Sequence, residues 1–339
     1  MENKLSSANS VTLDLLRIIA ATCVLVGHLF SFFNVTIFKD ETWFPYIQSL
    51  AVNVFFVLSG FLTDNSLRRK SKEYTYREFM LDRFCRIFSF LLPCLMLVIL
   101  LDIIGIYLNP GMYVFYDTFH WKTLLKNATL MPILDFVPLG SARPLWTLYI
   151  EWSLYICYGF YYLVCKRKYE EKQLKIIHLL IFVVLCWSYR LRSNIVQVMA
   201  FTLGVVINHI YKSVRIKRVK LTFAIAMGSF ILSALYFRDA YSYPVVYMIA
   251  VLILLVLVLG EKRELNINHK LRDVLHVLSG ITYPLYLTHY TIIVFVINNN
   301  LLRNKSFNFW GSMIISIVVA GVLHWFLKDM GRKISMLFH

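Results

Sequence analysis

Apolar residues run in long blocks along the whole chain, and short polar stretches separate them. About twenty helical residues rise roughly 30 Å, the thickness of a bilayer's hydrocarbon core. Ten blocks approach that length, at 13–34, 46–64, 84–108, 144–165, 174–190, 194–211, 221–237, 243–260, 276–298 and 308–327. The pattern predicts an all-α polytopic membrane protein of about ten transmembrane helices. It forms one domain over 1–339, with no separate soluble domain. Only Lys4 is basic ahead of the first block, and no small-residue cleavage site follows it. That block therefore reads as a retained helix and not as a signal peptide. Two loops break the rhythm. Residues 65–83 alternate basic and aromatic side chains, and 109–143 are long, rich in Tyr and Phe and poor in charge. A long loop of that apolar character predicts a surface that packs on the membrane and faces an acceptor.

Composition sharpens this picture. Hydrophobic residues make up 59% of the chain and the mean hydropathy is +0.64, whereas a soluble domain is about 45–50% apolar. The formal net charge of +16 raises the question of nucleic acid, and its placement answers it. With the N-terminus inside, 26 of the 35 lysines and arginines fall on the cytoplasmic side and nine outside. Such a bias orients membrane proteins. It places both termini in the cytoplasm of a multi-pass protein in a cell membrane. The charge then meets membrane lipids and not nucleic acid. Cys23, Cys85, Cys94, Cys157, Cys165 and Cys186 lie in predicted helices or at their cytoplasmic ends. None lies in an outside loop, so no disulfide is expected. No Cys/His cluster has metal-ligand spacing, so no metal site is expected. Nothing in the pattern sets an oligomeric state.

The candidate chemistry lies in ionisable residues inside the apolar blocks. The first block, "LDLLRIIAATCVLVGHLF", carries Asp14, Arg17 and His28. Eleven residues turn a helix through about three turns plus 20°, so Arg17 and His28 share a face about 16 Å apart along the axis. Arg17 falls near the cytoplasmic interface, His28 past the midplane, and Asp14 one turn before Arg17. Glu151 in "RPLWTLYIEWSLY" and His289 in "GITYPLYLTHY" fall near the depth of His28. Polar groups that deep are costly and mark pathways or reaction sites. The plainer readings stay open: Arg17 snorkels to lipid phosphate, His28 and His289 hydrogen-bond within the bundle, and Glu151 pairs with Arg143. At the cytoplasmic end of the third block, Arg83 and Arg86 are neighbours on a helix surface. Two guanidiniums at a helix entrance suit phosphate binding, and they also suit the positive-inside rule alone.

Five features occur in order: the Arg-x10-His first helix, "NVFFVLSGFL" at 53–62, Arg83-x-x-Arg86, "LWTLYIEWSLY" at 145–155 and "ITYPLYLTHY" at 281–290. Together they resemble the integral-membrane acyltransferase 3 family, which includes bacterial O-acetyltransferases of surface polysaccharides. The resemblance spans essentially the whole chain. It implies an acyl-CoA donor, most simply acetyl-CoA, on the cytoplasmic side. It also implies a glycan or lipid-linked saccharide acceptor at the other face. By the same resemblance Arg17 and His28 form the essential pair, Arg83 and Arg86 belong to the donor side, and Glu151 is the motif's glutamate. Trp152 stands where a second acidic or amide residue often follows that glutamate. In this reading His28 and Glu151 are catalytic, Arg17, Arg83 and Arg86 hold the donor, and Asp14 and His289 support the polar site. Neutral His28 takes the proton of a sugar hydroxyl as a general base, or it carries the acyl group covalently. The competing readings are a multi-pass transporter and an export component without acyl transfer, for which buried Arg, His and Glu serve equally.

Overall fold

The computed structural model describes residues 5–34, 47–71, 73–130, 136–166, 194–214, 219–237, 239–262, 268–302 and 304–336. Every regular element among them is helical. The α-helices in chain order are α1 Ser7–Phe33, α2 Ile47–Arg69, α3 Tyr76–Leu108, α4 Trp121–Thr129, α5 Leu145–Phe160, α6 Ile195–Ile210, α7 Val219–Phe237, α8 Tyr243–Lys262, α9 His269–Asn298, α10 Lys305–Leu327 and α11 Met330–Met336. Six of them, α1, α2, α3, α8, α9 and α10, contain stretches long and apolar enough to cross a membrane. The apolar helices of α6 and α7 are shorter. The predicted block 174–190 lies outside the described residues, as do Cys186 and the side chain of Cys165. Cys23, Cys85, Cys94 and Cys157 are free thiols.

Local signals set several helix ends. α3 opens with a capping box: the Thr75 side chain accepts from the Glu78 amide, and the Glu78 carboxylate accepts from the Thr75 amide at 2.6 Å. Two orphan amides are thereby satisfied where the chain enters the apolar phase. α9 starts at His269, seven residues before the predicted block, because Asn268 Oδ1 accepts from the Lys270 amide. Pro93 in α3 and Pro284 in α9 remove one ladder hydrogen bond each. Spanning helices tolerate this where neighbours re-satisfy the backbone.

The chain divides into two compact units. One comprises Met1–Gly27, Thr36–Glu73 and Arg190–Ser279. In it α2 and α6 cross at backbone contact. A Cβ on Gly60 would sit 1.9 Å from the Phe201 carbonyl oxygen, and one on Gly204 would sit 2.0 Å from that of Val57. Only glycine permits that approach, which membrane helices use in place of a hydrophobic driving force. The crossing places a polar cluster at the ends of both helices. Fully buried Asp64 accepts from Arg68 and from Asn208, each at 2.7 Å, and Asn208 also accepts from Asn65 at 3.2 Å. The other unit comprises His28–Val35, Tyr74–Tyr189 and Gly280–His339. There α11 lies on α3 and α5 packs against α3. It holds most of the side chains described next.

Candidate functional site

α1 runs unbroken from Ser7 to Phe33, so Arg17 and His28 stand on one continuous helix. The His28 ring lies 5.2 Å, centroid to centroid, from the ring of His289 on α9. Tyr290 meets His28 edge-on at 5.1 Å. The helix rise alone puts the two histidines at similar depth; the structure makes them neighbours.

His289 is 1% exposed. Its Nδ1 bonds the Leu285 carbonyl one turn earlier at 2.9 Å. A carbonyl accepts only, so Nδ1 carries the proton and Nε2 presents a lone pair. That Nε2 is buried and has no hydrogen-bond partner among the described residues. Beside it, Tyr286 lies 6.0 Å from the His289 ring. The Tyr286 hydroxyl is 2.7 Å from Thr147 Oγ1, which fixes α9 against α5 one turn before Glu151.

Glu151 Oε1 accepts from the Tyr155 hydroxyl at 2.6 Å. The Arg143 guanidinium lies over the Phe115 ring at 5.8 Å. Tyr155 is buried, and the Arg83 guanidinium sits over its ring at 4.9 Å and over Phe79 at 5.2 Å. Arg83 is 7% exposed. It lies within electrostatic range of Arg86 and Glu151 and has no hydrogen-bond acceptor among the described residues. Arg83 and Arg86 are therefore not equivalent: Arg83 points into the protein between two aromatic rings, and Arg86 is exposed. In the first unit, Arg17 pairs with Asp14 at 3.2 Å, and His276 Nδ1 lies 3.5 Å from the same carboxylate.

Besides Asp64, a second buried acid stands outside the predicted set. Asp102 in α3 is 3% exposed. It accepts from the Ser141 amide at 3.0 Å, the Ser141 hydroxyl at 2.6 Å and the Tyr113 hydroxyl at 2.9 Å. Burial and the Asp102 charge push the Tyr113 phenol up, so Tyr113 stays protonated and donates. Ser141 Oγ also lies 2.8 Å from Thr291 Oγ1, two residues past His289. Gly140 makes the turn possible: its φ is +49°, and a Cβ there would be 2.2 Å from Asp102 Oδ2. The sequence signal for Asp102 is its place as a lone carboxylate in the apolar block 84–108. Asp102 thus ties Tyr113 and Ser141 to α3 beside α9. Replacing it with leucine strands two buried donors, the Ser141 amide and the Tyr113 hydroxyl, each costing about 1–3 kcal/mol, while the Ser141 hydroxyl keeps Thr291 Oγ1. Asp102→Leu is expected to melt well below wild type in detergent, with Asp102→Asn in between. Equal melting of all three would show that the clamp contributes nothing.

A family model described as an acyltransferase domain matches residues 11–326. The chain belongs to the acyltransferase 3 family. The match takes in every residue of the site above, and it assigns a membrane acyltransferase in place of a transporter or export component. No curated relative and no solved structure matches the chain.

Proposed function

We propose that this acyltransferase moves an acyl group, most simply acetyl, from cytoplasmic acyl-CoA to a hydroxyl of a cell-surface or lipid-linked glycan, with His28 acting on the acyl group. One observation carries the reading: His28 of the Arg-x10-His pair lies 5.2 Å from a second, buried histidine whose Nε2 has no partner among the described residues. Two imidazoles side by side in an apolar surround suit proton or acyl transfer better than packing. Glu151, held by Tyr155, positions the reacting groups. The donor's phosphates are the partners we assign to Arg83 and Arg86, with Arg17 a further donor contact on the helix that carries His28. The acyl transfer needs no metal in this scheme. The acceptor meets the outer face, where the loop 109–143 is Tyr- and Phe-rich.

The test is acetyl-CoA turnover by purified protein in detergent, read as free thiol released with hydroxylamine or glycerol as acceptor. Thiol release above a His28→Ala control supports the reading, and none with either acceptor overturns it. The proposed topology has ten spans, both termini in the cytoplasm and the chain in a prokaryotic cytoplasmic membrane. Single cysteines placed at Lys122 and Lys305 in a cysteine-free background are expected to react with an impermeant maleimide added outside. Cysteines at Lys70 and Lys212 are expected to react only after permeabilisation. Outside labelling at Lys212 would break the topology.

A further inference from the structure

The buried lone pair on His289 has a use that a packing role leaves unexplained. Its Nδ1–H is spent on the Leu285 carbonyl, so the ring is held with Nε2 as an acceptor and no described residue donates to it. A buried acceptor left empty costs about 1–3 kcal/mol. Natural cores rarely leave such a group without a reason. The same ring faces His28 at 5.2 Å with an interplanar tilt of 34°. A hydrogen bond to a ring nitrogen is about 3 Å long, so a hydroxyl that reaches His289 Nε2 lies beside the His28 ring.

We propose that His289 is a second catalytic residue: its Nε2 receives the proton of the acceptor hydroxyl while His28 attends to the acyl group. This rests on the acyl-transfer reading above and assigns a role within it. In the step, the acceptor O–H proton moves to His289 Nε2 as its oxygen bonds the acyl carbon. The bond from that carbon to its carrier breaks, whether the carrier is the coenzyme sulfur or a His28 nitrogen. The departing atom takes the proton back from His289. One acyl-CoA and one alcohol become one ester and one thiol, and His289 returns to its starting tautomer. The Nδ1–H bond to the Leu285 carbonyl keeps the ring from turning away.

The test separates acceptors that need a base from one that does not. Glycerol is a weak nucleophile until it loses its proton, whereas hydroxylamine attacks acyl groups unaided. His289→Gln keeps an oxygen or nitrogen near the Nε2 position and removes the basicity. It is expected to slow thiol release with glycerol by about 10²-fold or more, and to leave release with hydroxylamine near wild type. A fall with both acceptors alike would show that His289 only supports the fold, and no fall with either would show that it is idle. Both outcomes overturn the proposal. His289→Ala with and without added imidazole covers misfolding of the glutamine variant. Imidazole that restores only the glycerol reaction supports the base, and imidazole without effect counts against it. Wild-type protein that releases no thiol above the protein-free rate with either acceptor would defeat the acyl-transfer reading itself, a different result from any of these.

Discussion

His28→Ala is expected to lower acyl transfer about 10²–10⁴-fold, as much as removing a positioned acid–base group costs, because the acyl group loses the side chain that handles it, without loss of the folded protein. The fold should survive because His28 makes ring contacts only, with His289 and Tyr290. No hydrogen bond from its ring to another described residue is broken by the change. The acceptor pattern distinguishes the two histidines. His28 acts on the acyl group, so its loss should slow glycerol and hydroxylamine reactions together. Loss of His289 should spare hydroxylamine. The measurement is initial thiol release at saturating acetyl-CoA, with gel filtration in detergent as the folding control. Normal turnover by His28→Ala would remove the chemistry from α1 altogether. A variant that slows glycerol alone would exchange the roles of the two rings.

The helices were legible because bilayer thickness imposes a length on each apolar block, and a charge within a block stands out at once. Helix rise also puts His28 and His289 at one depth, since 1.5 Å per residue converts position into height. Which faces meet is a different matter. Arg83 and Arg86 are three residues apart and read as one surface pair. Yet a 60° difference in direction is enough to bury the first between Phe79 and Tyr155 and leave the second exposed. The aromatic pocket that makes the difference is assembled from α3 and α5, about seventy residues apart in sequence. Likewise Tyr155 reads as one of many apolar aromatics, and only the fold shows its hydroxyl on Glu151. Asp102 was visible as a charge in a spanning block. Its partners Tyr113 and Ser141 come from a loop whose polar residues have no periodicity to place them.

Arg83→Met should give opposite results with and without the donor. In the free protein the guanidinium is buried with no hydrogen-bond acceptor among the described residues, and the charges within its electrostatic range are the like-charged Arg86 and the carboxylate of Glu151, which only partly offset its desolvation. Burying an unpaired ion costs several kcal/mol after relaxation. The two ring contacts return about 0.5–2 kcal/mol each. Desolvation wins, so methionine, which fills the space between Phe79 and Tyr155 without a charge, should melt no lower than arginine. With donor present the order should reverse. Charge-assisted hydrogen bonds to phosphate are worth roughly 1.5–3 kcal/mol each, so losing them weakens acyl-CoA binding about tenfold or more. At a concentration a hundred times the wild-type dissociation constant, the donor stabilises wild type by about 2.7 kcal/mol. A tenfold weaker variant keeps only about 1.4 kcal/mol of that. Arg83→Lys should lie nearer Met than Arg in the donor-dependent part, because a lysine keeps the charge and loses the planar fork that the two rings hold. The experiment is thermal melting of each variant with and without acetyl-CoA, with calorimetry for affinity. If Arg83→Met keeps the full donor-dependent shift, the buried guanidinium does not bind the donor. Its charge would then serve Glu151 through Tyr155, and Arg86 would be left as the phosphate contact on α3.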